Sequence, residues 1–132
     1  MRRATLVRLA VALCTGLLVV PACSSSSGSA GPALPSPASF APGPCQHAAP
    51  ALLAIVRRAD KGGQVGRLDT DLTSQQSILR HLSTQTSDIQ DVVTAIGFLR
   101  LRVDAHSYDD QARKDVGSAA RRAVAGCTST TR

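Results

Sequence analysis

The chain has 132 residues and a formal net charge of +6; it is 43% hydrophobic but only 2% aromatic, with no Trp. That length fits one small domain once the ends are set aside, with a core of Leu, Ile, Val and Ala, which suits helices better than aromatic-rich sheets. The charge does not point to nucleic acid: Arg2, Arg3 and Arg8 sit in the N-terminal segment, leaving 12 basic against 9 acidic residues, and almost nothing is present for bases to stack on.

The chain opens MRRATLVRLAVALCTGLLVVPAC: a basic start, an apolar stretch from Leu9 to Val20, and a small residue before Cys23. This is the layout of an export signal, and the apolar run is shorter than the roughly 20 residues a membrane span needs. Val20-Pro21-Ala22-Cys23 resembles the lipobox of bacterial lipoproteins, an aliphatic residue, a variable one, a small one and then Cys. The resemblance covers only the first 23 residues. It implies that residues 1–22 are a signal peptide, and that Cys23 takes a diacylglyceryl group and becomes the first residue of the mature protein. An Ala- and Arg-rich chain without Asn suggests a GC-rich bacterial genome, and with the lipobox resemblance the expected source is a GC-rich Gram-positive bacterium. Arg2-Arg3 also invites a twin-arginine reading, but Thr5 stands where that motif prefers a bulky apolar residue. One acyl chain binds a bilayer marginally and two or more hold stably, so the expected location is the outer face of the cytoplasmic membrane. Cleavage nearer Ala30 would instead give a secreted protein.

Residues 23–44 then read as the lipidated Cys followed by a disordered linker rich in Ser, Gly, Ala and Pro. Such a stretch buries too little apolar surface to offset its ordering entropy. Fully extended at about 3.1 Å per residue it would reach roughly 65 Å. Phe40, its one large apolar residue, is as well placed in solvent as docked on the domain. The cysteines then sort by place: Cys14 leaves with the leader and Cys23 takes lipid. Cys45 and Cys127 remain at the borders of the structured region, where an oxidising compartment favours one disulfide. Two free thiols, or a metal pair, are the other readings.

Residues 45–127 read as an all-α domain, a small bundle of about four helices closed by that disulfide, with 128–132 a disordered tail. In QHAAPALLAIVRRAD (residues 46–60), Pro50 suits a first turn, and Leu52, Ile55, Val56 and Ala59 share one face. KGGQVG (61–66) ends that helix at two adjacent glycines. A second helix from about Leu68 to Leu82 carries Leu68, Leu72, Gln75, Leu79 and Leu82 in one stripe, with Asp69 or Asp71 as cap. STQTSD (83–88) favours a turn over one unbroken helix, and Ser87 with Gln90 matches a capping box. The third helix carries Ile89, Val92, Val93, Ile96, Leu99 and Val103. Ser107 with Asp110 opens the fourth, whose face is Tyr108, Ala112, Val116, Ala119 and Ala123. Phe98 and Leu101 point away from the third stripe; burial on two sides is the favoured reading and an exposed partner patch the other.

No nucleophile–base signature, phosphate loop or closely spaced ligand motif occurs in the sequence, so neither an enzyme nor a cofactor is expected. The histidines are His47, His81 and His106. Asp104, His106, Asp109 and Asp110 form the densest polar cluster, a weak metal candidate weighed against solvated loop and helix-capping roles. Arg57-Arg58 and Arg121-Arg122 read as helix-end cations, or as a basic surface toward anionic lipid or cell-wall polymer. The expected function is an extracytoplasmic, membrane-anchored binding or structural interaction module, held by membrane lipid through Cys23 and meeting an envelope protein or cell-wall partner. The alternative is a small-ligand or metal carrier of the cell envelope.

Overall fold

The computed structural model describes residues 32–83 and 86–129. Among them the chain forms four helices, α1 (Pro44–Lys61), α2 (Val65–Arg80), α3 (Ser87–Asp104) and α4 (Asp110–Ser129), and no strand. Each packs on the next, and α4 closes back on α1. The short connections make consecutive helices antiparallel, giving an up-down-up-down bundle. The leader, the lipobox and Cys23 lie outside the described residues.

Helix α1 starts two residues before Gln46, because Pro44 takes the first turn behind Gly43, whose φ of 89° favours glycine. Pro50 therefore lies inside the helix rather than at its start. A proline there forfeits the bond from its nitrogen to the carbonyl four residues back. Gln46 and Pro50 are both exposed, so the lost bond lies on the solvent-facing side of the helix. The helix ends at Gly62 and Gly63, with φ of 60° and 107°, backbone that residues with a side chain rarely adopt.

Helix α2 begins at Val65, earlier than the Leu68 start read from the stripe, because it starts directly after the glycine pair. Neither Asp69 nor Asp71 caps it: Gln64 holds the N-cap position without a side-chain bond, and Asp71 instead meets Arg58. Leu68, Leu72 and Leu79 are buried as expected, but Gln76 rather than Gln75 fills the gap between them. Leu82 is half-buried beyond the helix end.

The turn between α2 and α3 is present, so residues 68–104 form two helices. Thr86, extended at φ −141° and ψ 134°, is the N-cap of α3, and its hydroxyl accepts from the Ile89 N–H at 3.4 Å. Ser87 is thus the first helical residue, and the capping box expected from Ser87 and Gln90 does not form: the residue three after Thr86 is Ile89, which has no polar side chain to bond back. The cap of α4 also differs from the expected Ser107. Asp109 Oδ1 accepts the Ala112 N–H at 2.9 Å, as an N-cap side chain does three residues ahead.

The core holds the predicted Ile89, Val92, Ile96 and Leu99 of α3 and Ala112, Val116, Ala119 and Ala123 of α4. Val93, Val103 and Tyr108 pack partly buried against it. Helices α1 and α4 bury eight residues each, and α1 brings the larger side chains, Leu52, Leu53, Ile55 and Val56. Its extra cover comes from residues read as linker: Leu34 packs against the core, a 3-10 turn forms at Pro37–Ser39, and Phe40 is buried at 4% exposure. The Ala41 N–H donates to the Cys127 carbonyl at 2.9 Å, tying that segment to the end of α4. The packed unit therefore reaches back to Pro32, ahead of the boundary drawn at Cys45. At the other end α4 runs through Cys127 to Ser129.

The helix covered on extra sides is thus α1, not α3. Phe98 and Leu101 are each 63% exposed, which overturns the expectation that they are buried. A four-membered ring leaves each helix one outward face, and on α3 nothing among the described residues covers it.

Candidate functional site

Cys45, in the first turn of α1, and Cys127, in the last turns of α4, form a disulfide with Cα atoms 5.3 Å apart. Antiparallel packing of the first and last helices brings these ends together, so the bond closes the bundle where the chain would otherwise fray.

The Asp104–Asp110 cluster is a helix-to-helix corner. His106 takes a left-handed conformation, φ 52°, and its N–H bonds to the Val103 carbonyl while that of Ser107 bonds to Arg102. This is a Schellman ending with histidine where glycine is usual. Asp109 caps α4 and pairs with Arg102 at 2.7 Å. Asp110 binds Arg113 at 2.7 Å and lies 3.5 Å from Lys114. The hydrogen bond from Arg113 holds the Asp110 carboxyl below its ordinary value, and the same partner raises Arg113. Asp104 is exposed at the end of α3. Among the described residues no group of three His, Cys, Asp or Glu side chains is placed to hold a metal ion. His47, His81 and His106 are all exposed.

The arginine pairs divide by partner. Arg58 Nε approaches Asp71 to 2.7 Å, an ion pair by distance, and its Nη1 donates to the Gly62 carbonyl at 2.9 Å. Arg121 pairs with Asp60, and Arg113 reaches across to the Ala59 carbonyl, so α4 holds the end of α1 through two guanidinium groups. Arg57 and Arg122 are exposed.

A groove of about 430 Å³ lies between the outer faces of α2 and α3. At its base lies Gln76, 3% exposed, whose side-chain amide donates to the Val93 carbonyl at 2.8 Å. Gly97 keeps the base open: a Cβ there would stand 3.6 Å from Gln76 Nε2. Phe98 and Leu101 form the apolar wall, Arg80 and Arg100 stand around it, and Asp104 lies at the end of α3. Sequence reasoning singled out Phe98 and Leu101 but missed Gln76, Gly97, Arg80 and Arg100. The available signal was Gln76 four residues after Leu72, opposite a glycine inside an apolar helix. No helix among the described residues is long and apolar enough to cross a membrane. No protein-family model, curated protein or solved structure matches the chain.

Proposed function

We propose that the protein is a lipoprotein held at the outer face of the cytoplasmic membrane through acylated Cys23, and that its disulfide-closed bundle is a binding module without catalysis. The anchor rests on the resemblance of Val20-Pro21-Ala22-Cys23 to a lipobox. The binding role rests on one observation: Phe98 and Leu101, on the outward face of α3 beside the α2–α3 groove, are each 63% exposed, while the core-facing Ile89, Val92, Ile96 and Leu99 are buried. Exposed apolar side chains grouped on one face of a soluble domain mark a contact surface. An envelope protein or a cell-wall component is the partner class.

A second reading, a small-ligand carrier, is favoured by the same groove. It places the ligand there rather than at Asp104–Asp110, where Asp109 and Asp110 are engaged by Arg102 and Arg113. The mass of the intact protein from a membrane fraction tests the anchor. An N-terminal Cys23 carrying diacylglyceryl is the expected result; a lipid-free chain beginning nearer Ala30 overturns it.

A further inference from the structure

We propose that the α2–α3 groove is a second membrane contact: Phe98 and Leu101 enter the interface of an anionic bilayer, and Arg80 and Arg100 bind its lipid headgroups. This rests on the anchored reading above, because the anchor is what keeps the groove beside lipid.

The chemistry of the groove complements an amphiphile with a negative head. Its wall is the apolar pair Phe98 and Leu101, and Gly97 leaves the base without a side chain. Arg58, Arg102, Arg113 and Arg121 each pair with an aspartate. Arg80 and Arg100 line this groove, one from α2 and one from α3, and neither forms an ion pair with a described carboxylate. Asp104 shares the groove without pairing to either, which leaves the cations in excess. Arginine stems cover apolar surface while their heads stay in the polar layer, matching the depth at which lipid phosphates lie.

Two observations favour a bilayer over an enclosed ligand. Phe98 and Leu101 flank the groove but stand out from α3 at 63% exposure, so they leave it open and are free to insert into a bilayer. The packed unit begins at Pro32, nine positions after Cys23. Nine residues span at most about 30 Å, little more than the width of two packed helices. An acylated Cys23 would therefore keep the bundle at the lipid surface.

The chain contains no Trp, so Phe98→Trp in the full-length protein is a single local reporter, and Ser118→Trp on the exposed side of α4 is its control. Phosphatidylglycerol vesicles should blue-shift Phe98→Trp emission, and brominated acyl chains should quench it. Phosphatidylcholine vesicles should do neither, and Ser118→Trp should respond to none of them. Adding Arg80→Gln and Arg100→Gln should weaken the partition of the reporter about thirtyfold, roughly fivefold per Arg at an anionic surface. Circular dichroism confirms that each variant keeps its helices. An unshifted reporter, an equal response to neutral vesicles, or an equal response from Ser118→Trp overturns the proposal. So does a shift that grows with protein concentration without lipid, which would assign the face to a second copy of the chain. A response to monomeric lysophosphatidylglycerol alone overturns it in favour of a carrier site. An unacylated Cys23 in the mass measurement refutes the anchor while leaving the reporter result standing, so the two failures are distinct.

Discussion

The side-chain amide of Gln76 donates to the Val93 carbonyl at 2.8 Å, joining α2 to α3 from within the bundle. Gln76 is 3% exposed, and it occupies a place that leucines fill elsewhere along α2. Removing it deletes a buried hydrogen bond and opens a cavity against Gly97. Gln76→Ala should lower stability by about 1–3 kcal/mol, read as a lower urea midpoint at constant slope. Gln76→Met, which refills the volume without the bond, should recover part of the loss.

The disulfide joins Cys45 to Cys127 across 82 positions. Closing a loop of that length in the unfolded chain is worth about 4.5 kcal/mol in the chain-entropy model. For a domain of this size that corresponds to roughly 20 °C or more in Tm. Cys45→Ser with Cys127→Ser should show that drop without reductant, and reductant should bring the wild-type melting curve down to the variant's. Equal melting of wild type and variant without reductant would refute the disulfide's role.

The helices were legible because their stripes obey one rule, apolar side chains at three- and four-residue steps. Ile89, Val92, Ile96 and Leu99 needed nothing beyond it. The caps were less legible because several polar residues near each helix start satisfy the same pattern. Thr86 wins over Ser87, and Asp109 over Ser107, through backbone geometry that sequence does not display. Phe40 and Phe98 were hardest, since their burial depends on what covers which helix. A Pro-rich segment covers α1 and buries Phe40, while α3 keeps an open face. The groove was half legible: its apolar wall showed in the periodicity, but its cations, Arg80 and Arg100, sit on two helices and meet only through the packing of α2 on α3.

His106 ends α3 in a left-handed conformation at φ 52°. A residue with a Cβ pays about 1–2 kcal/mol there, and glycine escapes that cost while losing some of the gain to unfolded-chain entropy. The side chain is exposed. His106→Gly should therefore stabilise the domain by about 0.5–1 kcal/mol, seen as a higher urea midpoint.

Asp110 gives the stability a pH dependence on the acid side. The Arg113 hydrogen bond, opposed by a smaller desolvation effect, holds the carboxyl below its ordinary 3.8. A carboxyl more acidic in the folded than in the unfolded state stabilises fully above the unfolded value, and that contribution fades as pH falls through the folded value. Asp110→Asn removes this contribution. The Tm advantage of wild type over the variant should be constant near neutrality and shrink below about pH 4. The carboxylate is exposed, so the advantage is small and should narrow further in high salt.

Gly117 sets how closely α4 approaches α1. A Cβ added there would come within 3.2 Å of the Ala59 Cβ and 3.3 Å of Arg121 Nη1. The guanidinium is the far end of a flexible chain and can move aside, whereas Ala59 moves only with its helix. A branched side chain adds further atoms in that gap, so Gly117→Val should cost about 1–3 kcal/mol by overpacking. Gly66 supplies the internal comparison: it is exposed on α2, and a Cβ there meets nothing within 4 Å. Gly66→Ala should instead gain about 0.5–1 kcal/mol, the ordinary return for replacing a helical glycine. Urea midpoints moving in opposite directions for these two variants would tie the Gly117 effect to the α1–α4 contact. If Gly117→Val left the midpoint unchanged, that contact would be looser than the structure has it.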